Sequence, residues 1–166
     1  MKISQITRVI LFLTVAMLSI SSCEKDEVNS NQNSLTIDGA AFEITTASII
    51  GVSIDGDGHA GVNFMSVSES GSKSLAIDIE YSTNQPIEGD YAYPQSGDAR
   101  LIDDWLTNYT EISGTTSNST NLQTGTLNIV HNGGNNYTVK MNLTMVDGKV
   151  FSGTYTGEFL VQFNNG

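Results

Sequence analysis

From Leu35 to the C-terminus, hydrophobic residues recur at every second position, which is the period of a β-strand with one buried face. The clearest run extends from Tyr137 to Met145, where five apolar side chains alternate with Thr, Lys and Asn. A second run, from Phe151 to Phe163, sets aromatic and aliphatic residues among Ser, Thr, Glu and Gln. This pattern predicts half-buried antiparallel strands over most of the chain.

Turn signals separate these runs. Asp147-Gly148 lies between the two C-terminal runs, and the Gly-rich segment 131–135 precedes the first of them. An Asp-Gly pair favours a tight hairpin, because both central residues of that turn take positive φ. Residues 125–163 are therefore predicted to form a three-stranded meander.

The N-terminal half repeats this pattern less regularly, with apolar alternation in segments 35–37, 42–54, 62–67 and 75–81. Two segments depart from it. Residues 99–109 place Leu101, Ile102, Trp105 and Tyr109 at roughly helical spacing, which predicts one short helix or a strapped loop. Residues 113–123 are almost entirely Ser, Thr, Asn and Gly, which predicts an exposed loop.

Seven to nine short strands separated by turn signals favour an all-β fold, an antiparallel β-sandwich, in a single domain spanning residues 35–166. An eight-stranded up-and-down barrel is the alternative architecture, since it uses strands with the same alternation.

The N-terminal segment has the composition of an export leader. Lys2 and Arg8 give it a basic start, and the apolar run from Val9 to Leu18 is shorter than the ~20 residues that a membrane-spanning helix needs. Small residues follow, and then Cys23, the only cysteine in the chain. An ordinary signal peptide would leave this cysteine as an unpaired thiol, so we expect Cys23 to be a lipid anchor.

The segment Leu18-Ser19-Ile20-Ser21-Ser22-Cys23 resembles a bacterial lipobox, and Glu24-Lys25-Asp26-Glu27 resembles the lysine-plus-acidic export run of Bacteroidota lipoproteins. The resemblance implies that residues 1–22 are a lipoprotein signal peptide, that Cys23 is acylated, and that the domain is displayed on the outer face of the outer membrane. Plain secretion and a periplasm-facing anchor remain alternatives. The polar composition of residues 23–34 predicts a lipidated, flexible tether.

A second resemblance lies at the C-terminus. Asp147-Gly148-Lys149 followed by Gly153-Thr154-Tyr155-Thr156-Gly157 is similar to the last hairpin of small Bacteroidota lipoproteins with sandwich folds. The resemblance carries no activity with it.

The chain is strongly acidic, with a formal net charge of −11. Without residues 1–22, five basic and 18 acidic residues remain, and the formal charge becomes −13. Such a surface repels phosphate backbones and anionic head groups, which argues against nucleic acid as a partner.

Catalytic motifs are not apparent. The two histidines, His59 and His131, both lie near Gly-rich turns, so neither a nucleophile triad nor a zinc motif is predicted. Paired carboxylates for glycoside hydrolysis could be sought in Asp103 and Asp104, but adjacent residues cannot oppose each other across a bond, and nothing selects Glu80 or Glu88 as a partner. We predict no cofactor and no enzyme activity, with a glycoside hydrolase as the alternative.

Two weaker candidate sites remain. Asp55 and Asp57 lie two residues apart in an Asp-Gly-Asp-Gly segment and could offer oxygens to calcium, although the EF-hand pattern fails at its fifth and twelfth positions. Four aromatic residues could instead contact a ligand from loops, or else pack into one end of the sandwich. They are Tyr91, Tyr93, Trp105 and Tyr109.

The functional expectation is a non-catalytic accessory or binding module that is anchored to the membrane and recognises a glycan or an envelope protein. A barrel-like carrier of a small apolar ligand is the second hypothesis, and a hydrolase is the third.

The anchor can be tested directly. Cys23→Ala is expected to move the protein from the membrane fraction to the soluble fraction, because the acyl chains supply the membrane affinity. Fractionation and immunoblotting measure this, and a variant that still sediments with membranes would contradict the lipid anchor. Protease added to intact cells should remove the domain if it faces outward, whereas protection would place it in the periplasm.

Overall fold

The computed structural model describes residues 32–165, excluding the side chain of Asn165. These residues form twelve strands and no helix, so within this range no helix could cross a membrane. The strands are β1 Gln32–Asn33, β2 Thr36–Ile37, β3 Ala40–Ala41, β4 Thr46–Ile54, β5 Asp57–Ser68, β6 Gly71–Ser82, β7 Gly89–Tyr93, β8 Arg100–Ser113, β9 Thr116–Gly133, β10 Asn136–Met145, β11 Val150–Glu158 and β12 Leu160–Asn165.

All twelve strands belong to one hydrogen-bonded sheet, in the order β12-β4-β5-β6-β8-β7-β9-β10-β11-β2-β3, with β1 also on β11. The end strands β12 and β3 do not pair with each other, so the sheet is open and does not close into a barrel. The all-β, sandwich-like prediction is confirmed. Three of the strands are only two residues long, and the other nine agree with the upper end of the predicted number.

Most pairings are antiparallel, as predicted, but two are parallel: β12 with β4 and β7 with β8. The β9-β10-β11 meander is present, and the chain then leaves it at Phe159 to run along β4 on the other side of the fold. The predicted meander therefore ends at Glu158, because the last strand belongs to a different part of the sheet.

The long strands β8 and β9 divide the sheet into two halves. The first part of β9 pairs with β8, and its later part pairs with β10 and β7. One half-sheet contains β12, β4, β5, β6 and β8, and the other contains β7, β9, β10, β11, β2 and β3, with β1 on β11.

Aromatic side chains fill the space between the two half-sheets. Phe64 on β5 has its ring 5.5 Å from that of Tyr155 on β11 and 5.8 Å from that of Phe159, all in edge-to-face geometry. Tyr137 on β10 lies 5.7 Å from Phe159. All four side chains are buried, and they form the centre of the hydrophobic core.

Three Asp-Gly pairs form hairpin turns. In Asp38-Gly39 (φ 51° and 80°) and Asp55-Gly56 (φ 56° and 96°), both residues take positive φ, which defines the tight two-residue turn. The Asp147-Gly148 hairpin is also present, but its loop spans residues 146–149 and only Gly148 has positive φ.

The helix predicted over residues 99–109 is wrong, because these residues lie in β8 or just before it. Their apparent helical spacing arises where β8 bulges away from β6. Residues 113–123 are largely exposed, as predicted, but the predicted loop is wrong, since most of this segment belongs to β9 and pairs with β8. Backbone hydrogen bonds to β8 hold this polar stretch in the sheet, and Leu122 is its one buried apolar side chain.

The described chain joins the sheet before Leu35. Gln32 and Asn33 pair with Thr156 and Tyr155 of β11, and the Ser34 N–H donates to the Thr154 carbonyl at 2.8 Å. The last residues of the predicted tether are therefore part of the fold. Residues 1–31, with the predicted leader and Cys23, lie outside the described residues.

The docking of this N-terminal segment on β11 can be tested at Gly153. This glycine has φ +122°, and a Cβ there would collide with the carbonyl of Ser34. Gly153→Ala is expected to lower the free energy of unfolding by about 2–3 kcal/mol, measured by denaturant titration. Gly148→Ala, at φ +89° with open space around it, should cost only about 1–2 kcal/mol. If both variants lose the same free energy of unfolding, the contact between residue 153 and Ser34 does not affect stability.

The aromatic core gives a second stability prediction. Phe64 is fully buried, and Phe64→Ala is expected to lower the free energy of unfolding by about 3–5 kcal/mol, because it leaves a cavity between the half-sheets. Phe163→Ala, at a partly buried position on β12, should cost clearly less. If both substitutions cost the same, Phe64 is not central to the core.

Candidate functional site

Trp105 is the most exposed large hydrophobic residue among those described, with 79% of its surface accessible. It lies in β8 at the break in register with β6. Asp78 pairs with Asp103 and Ala76 pairs with Asn108, so residues 104–107 of β8 face only Ile77 of β6. This bulge brings the indole out of the sheet and into solvent.

Hydrogen bonds hold the bulge from several sides. Asp103 Oδ1 accepts from the backbone N–H groups of Trp105 at 2.9 Å and of Leu106 at 2.8 Å. Asn121 Nδ2 on β9 donates to the Trp105 carbonyl at 3.0 Å. Beneath it, the fully buried Thr107 accepts at Oγ1 from the Asp78 N–H at 2.9 Å. The backbone that carries the exposed indole is therefore fixed.

Two acidic residues, Asp103 and Asp104, directly precede Trp105 in the chain. The Tyr93 hydroxyl hydrogen-bonds to the Asp104 carboxylate, which raises the pKa of Tyr93. Leu106, which follows Trp105 in the chain, is 41% exposed. We call Tyr93, Asp103, Asp104, Trp105 and Leu106 the Trp105 surface.

The other two predicted ligand-contact aromatics are core residues. Tyr91 and Tyr109 are 1% and 2% exposed, and burial raises the pKa of both. The Tyr91 hydroxyl donates to the Ile87 carbonyl at 2.7 Å, and the Arg100 guanidinium lies 4.3 Å from its ring centre. Of the four aromatic residues, Tyr93 and Trp105 are the two with accessible surface.

A second constellation lies on the outer face of the same half-sheet. His59 on β5, Asp78 on β6 and Asp103 on β8 each offer a ligand-type atom, and these atoms lie within 4.8 Å of one another. His59 Nδ1 is 2.6 Å from Asp78 Oδ1. We call these three residues the His59 group. Among residues 32–165, it is the one cluster of three or more His, Cys, Asp or Glu with this spacing.

The surroundings of Asp78 change the pKa of its carboxyl group. Burial raises the pKa of Asp78, and the nearby Asp103 carboxylate raises it further, while the hydrogen bond and the charge of His59 act in the opposite direction.

The other residues considered as site candidates do not form a cluster in the described structure. Asp55 occupies the β4–β5 turn, while Asp57 pairs with Ile54 and Ser82 in the sheet, and neither belongs to the His59 group. His131 stacks on Tyr137 with ring centres 4.7 Å apart and hydrogen-bonds through Nε2 to the Gly134 carbonyl.

Comparison with known proteins adds no identification, since no family model, no curated protein and no solved structure matches this chain.

Sequence reasoning singled out Trp105 but missed the His59 group. His59 lies 19 residues from Asp78 and 44 from Asp103 in the sequence, so no local motif links them. The register of β5, β6 and β8 brings them together.

Proposed function

We propose that this protein is a membrane-anchored, non-catalytic binding module that recognises a neutral glycan through the Trp105 surface. The carrying observation is the exposure of Trp105 on a bulge fixed by hydrogen bonds from three sides. A tryptophan packed into the interior would stabilise the fold, so its place on a rigid surface element favours a role in recognition.

The chemistry of the surface suits a sugar. The face of the indole carries partial negative charge and attracts the polarised C–H groups on one face of a pyranose ring. The carboxylates of Asp103 and Asp104 accept hydrogen bonds from sugar hydroxyls, and the Tyr93 hydroxyl can donate or accept. The apolar area is limited to Trp105 and Leu106, which fits one sugar ring better than an extended protein interface.

The charge of the chain limits which ligands fit, and the packing of the core limits where the binding site can lie. The acidic surface disfavours anionic polysaccharides and phosphorylated head groups. The rings of Phe64, Tyr155 and Phe159 occupy the space between the half-sheets, so we place the binding site on the outside of the domain and propose no internal cargo. Attachment through a lipid on Cys23 would hold this surface near the cell envelope.

The proposal is tested by affinity electrophoresis of the purified full chain through native gels containing dextran, glucomannan, galactomannan or arabinoxylan. The wild-type protein is expected to be retarded by at least one of these polysaccharides. Trp105→Ala should weaken that retardation at least about tenfold, equivalent to ~1.4 kcal/mol. Because Trp105 is the only tryptophan, its fluorescence should also shift to shorter wavelength as the sugar excludes water.

Leu160→Ala is the matched control, since Leu160 is a 68% exposed apolar residue on β12. It should migrate like the wild type in every gel. Glycan binding is refuted if no polysaccharide retards the wild type, or if Trp105→Ala migrates with it. Capture of an envelope protein that depends on Trp105, without any retardation, would replace the glycan with a protein ligand.

A further inference from the structure

We infer that the His59 group, formed by His59, Asp78 and Asp103, binds one divalent transition-metal ion, with zinc as the best match to its ligands. One imidazole nitrogen and two carboxylate oxygens lie within 4.8 Å of one another on three adjacent strands. Imidazole combined with carboxylates is a donor set that zinc uses, whereas calcium prefers six to eight oxygens. The inference shares Asp103 with the Trp105 surface but does not require that the protein binds a glycan.

The sheet register explains how the three side chains meet. Gly61, Asp78 and Asp103 face one another across β5, β6 and β8, in one row of the outer face. His59 lies two residues before Gly61 and faces the same way, because side chains alternate along a strand. A glycine in that row leaves space for the imidazole to cross diagonally to Asp78. The three atoms nearest to an added Cβ at Gly61 all belong to the Asn63 side chain.

The charges in the group favour a cation. The Asp78 and Asp103 carboxylates lie close together, and within residues 32–165 neither forms an ion pair with Lys or Arg. The imidazole of His59 is the one basic group in contact with them. A divalent ion would relieve the repulsion between the carboxylates and take the place of the direct contact between His59 Nδ1 and Asp78 Oδ1.

Small side-chain movements would complete the site. Tetrahedral zinc with ligand bonds of ~2.0–2.2 Å places its ligand atoms about 3.3 Å apart. The His59–Asp78 distance of 2.6 Å would therefore open slightly, and the Asp103 oxygen would move closer to the other two. With three protein ligands, the fourth position is left for water or for a ligand oxygen.

Asp103 has one carboxylate oxygen available for this role. Its Oδ1 accepts two backbone N–H groups from the bulge, and its Oδ2 has no hydrogen bond to any residue in the described range. An ion bound at Oδ2 leaves the bulge intact. Trp105, two residues from Asp103 in the chain, is the only tryptophan and serves as the fluorescence reporter of binding.

The test is isothermal titration of the tag-free full chain with zinc chloride, together with cobalt chloride quenching of Trp105 fluorescence. Saturable binding at one ion per chain is expected in both experiments. Asp103→Asn and His59→Gln should each weaken zinc binding at least about tenfold and reduce the cobalt quenching, because each removes one of the three ligands. Asparagine keeps the Oδ1 acceptor, so the bulge should survive, and thermal melts verify folding.

The chain provides matched controls. His131→Gln removes the only other histidine, and Asp57→Asn removes a carboxylate of β5 outside the group. Both should bind zinc like the wild type. The inference is overturned if the wild type shows no saturable binding, or if the control variants weaken binding as much as Asp103→Asn and His59→Gln. Loss of polysaccharide retardation alone would count against the proposed function and not against the metal site.

Discussion

The contact of Phe64 with Tyr155 and Phe159 joins β5 to the opposite side of the molecule, and the rest of the architecture follows from it. An open sheet of twelve strands would leave one complete face in water unless it folded onto itself. The long strands β8 and β9 allow this fold by belonging to both halves, and the chain crosses at Phe159 to add β12 beside β4. Because the inner faces pack against each other, the polar groups and the exposed Trp105 lie on the outer faces.

The bulge in β8 connects the two candidate sites. One carboxylate, that of Asp103, accepts backbone N–H groups beneath Trp105 through Oδ1 and faces His59 and Asp78 through the same side chain. The two candidate sites therefore share the Asp103 side chain. This arrangement also explains why Thr107, a polar residue, is fully buried: its hydroxyl accepts from the Asp78 N–H where the regular ladder is interrupted.

Local patterns in the sequence were sufficient to predict most of the strands and turns. The alternation from Tyr137 to Met145 appears as β10, and the predicted Asp147-Gly148 hairpin joins β10 to β11, because turn preference is a property of adjacent residues. The failures have non-local causes. The segment 116–123 is a strand because β8 offers its backbone as a partner, and the spacing of Leu101, Ile102 and Trp105 resembles a helix because a bulge shifts the alternation. The His59 group depends on the register of three strands, which single-sequence periodicity does not determine.

The short strand β1 is the part of the described domain on which a force from the preceding chain would act first. Its two residues pair with Tyr155 and Thr156, and Ser34 adds bonds to Thr154. A pull on the chain that precedes Gln32 acts on this small ladder first, and only after its rupture on β2 and the core strands. Loss of the β1 ladder would therefore free residues 32–34 while β2 to β12 and the outer face with Trp105 keep their pairing.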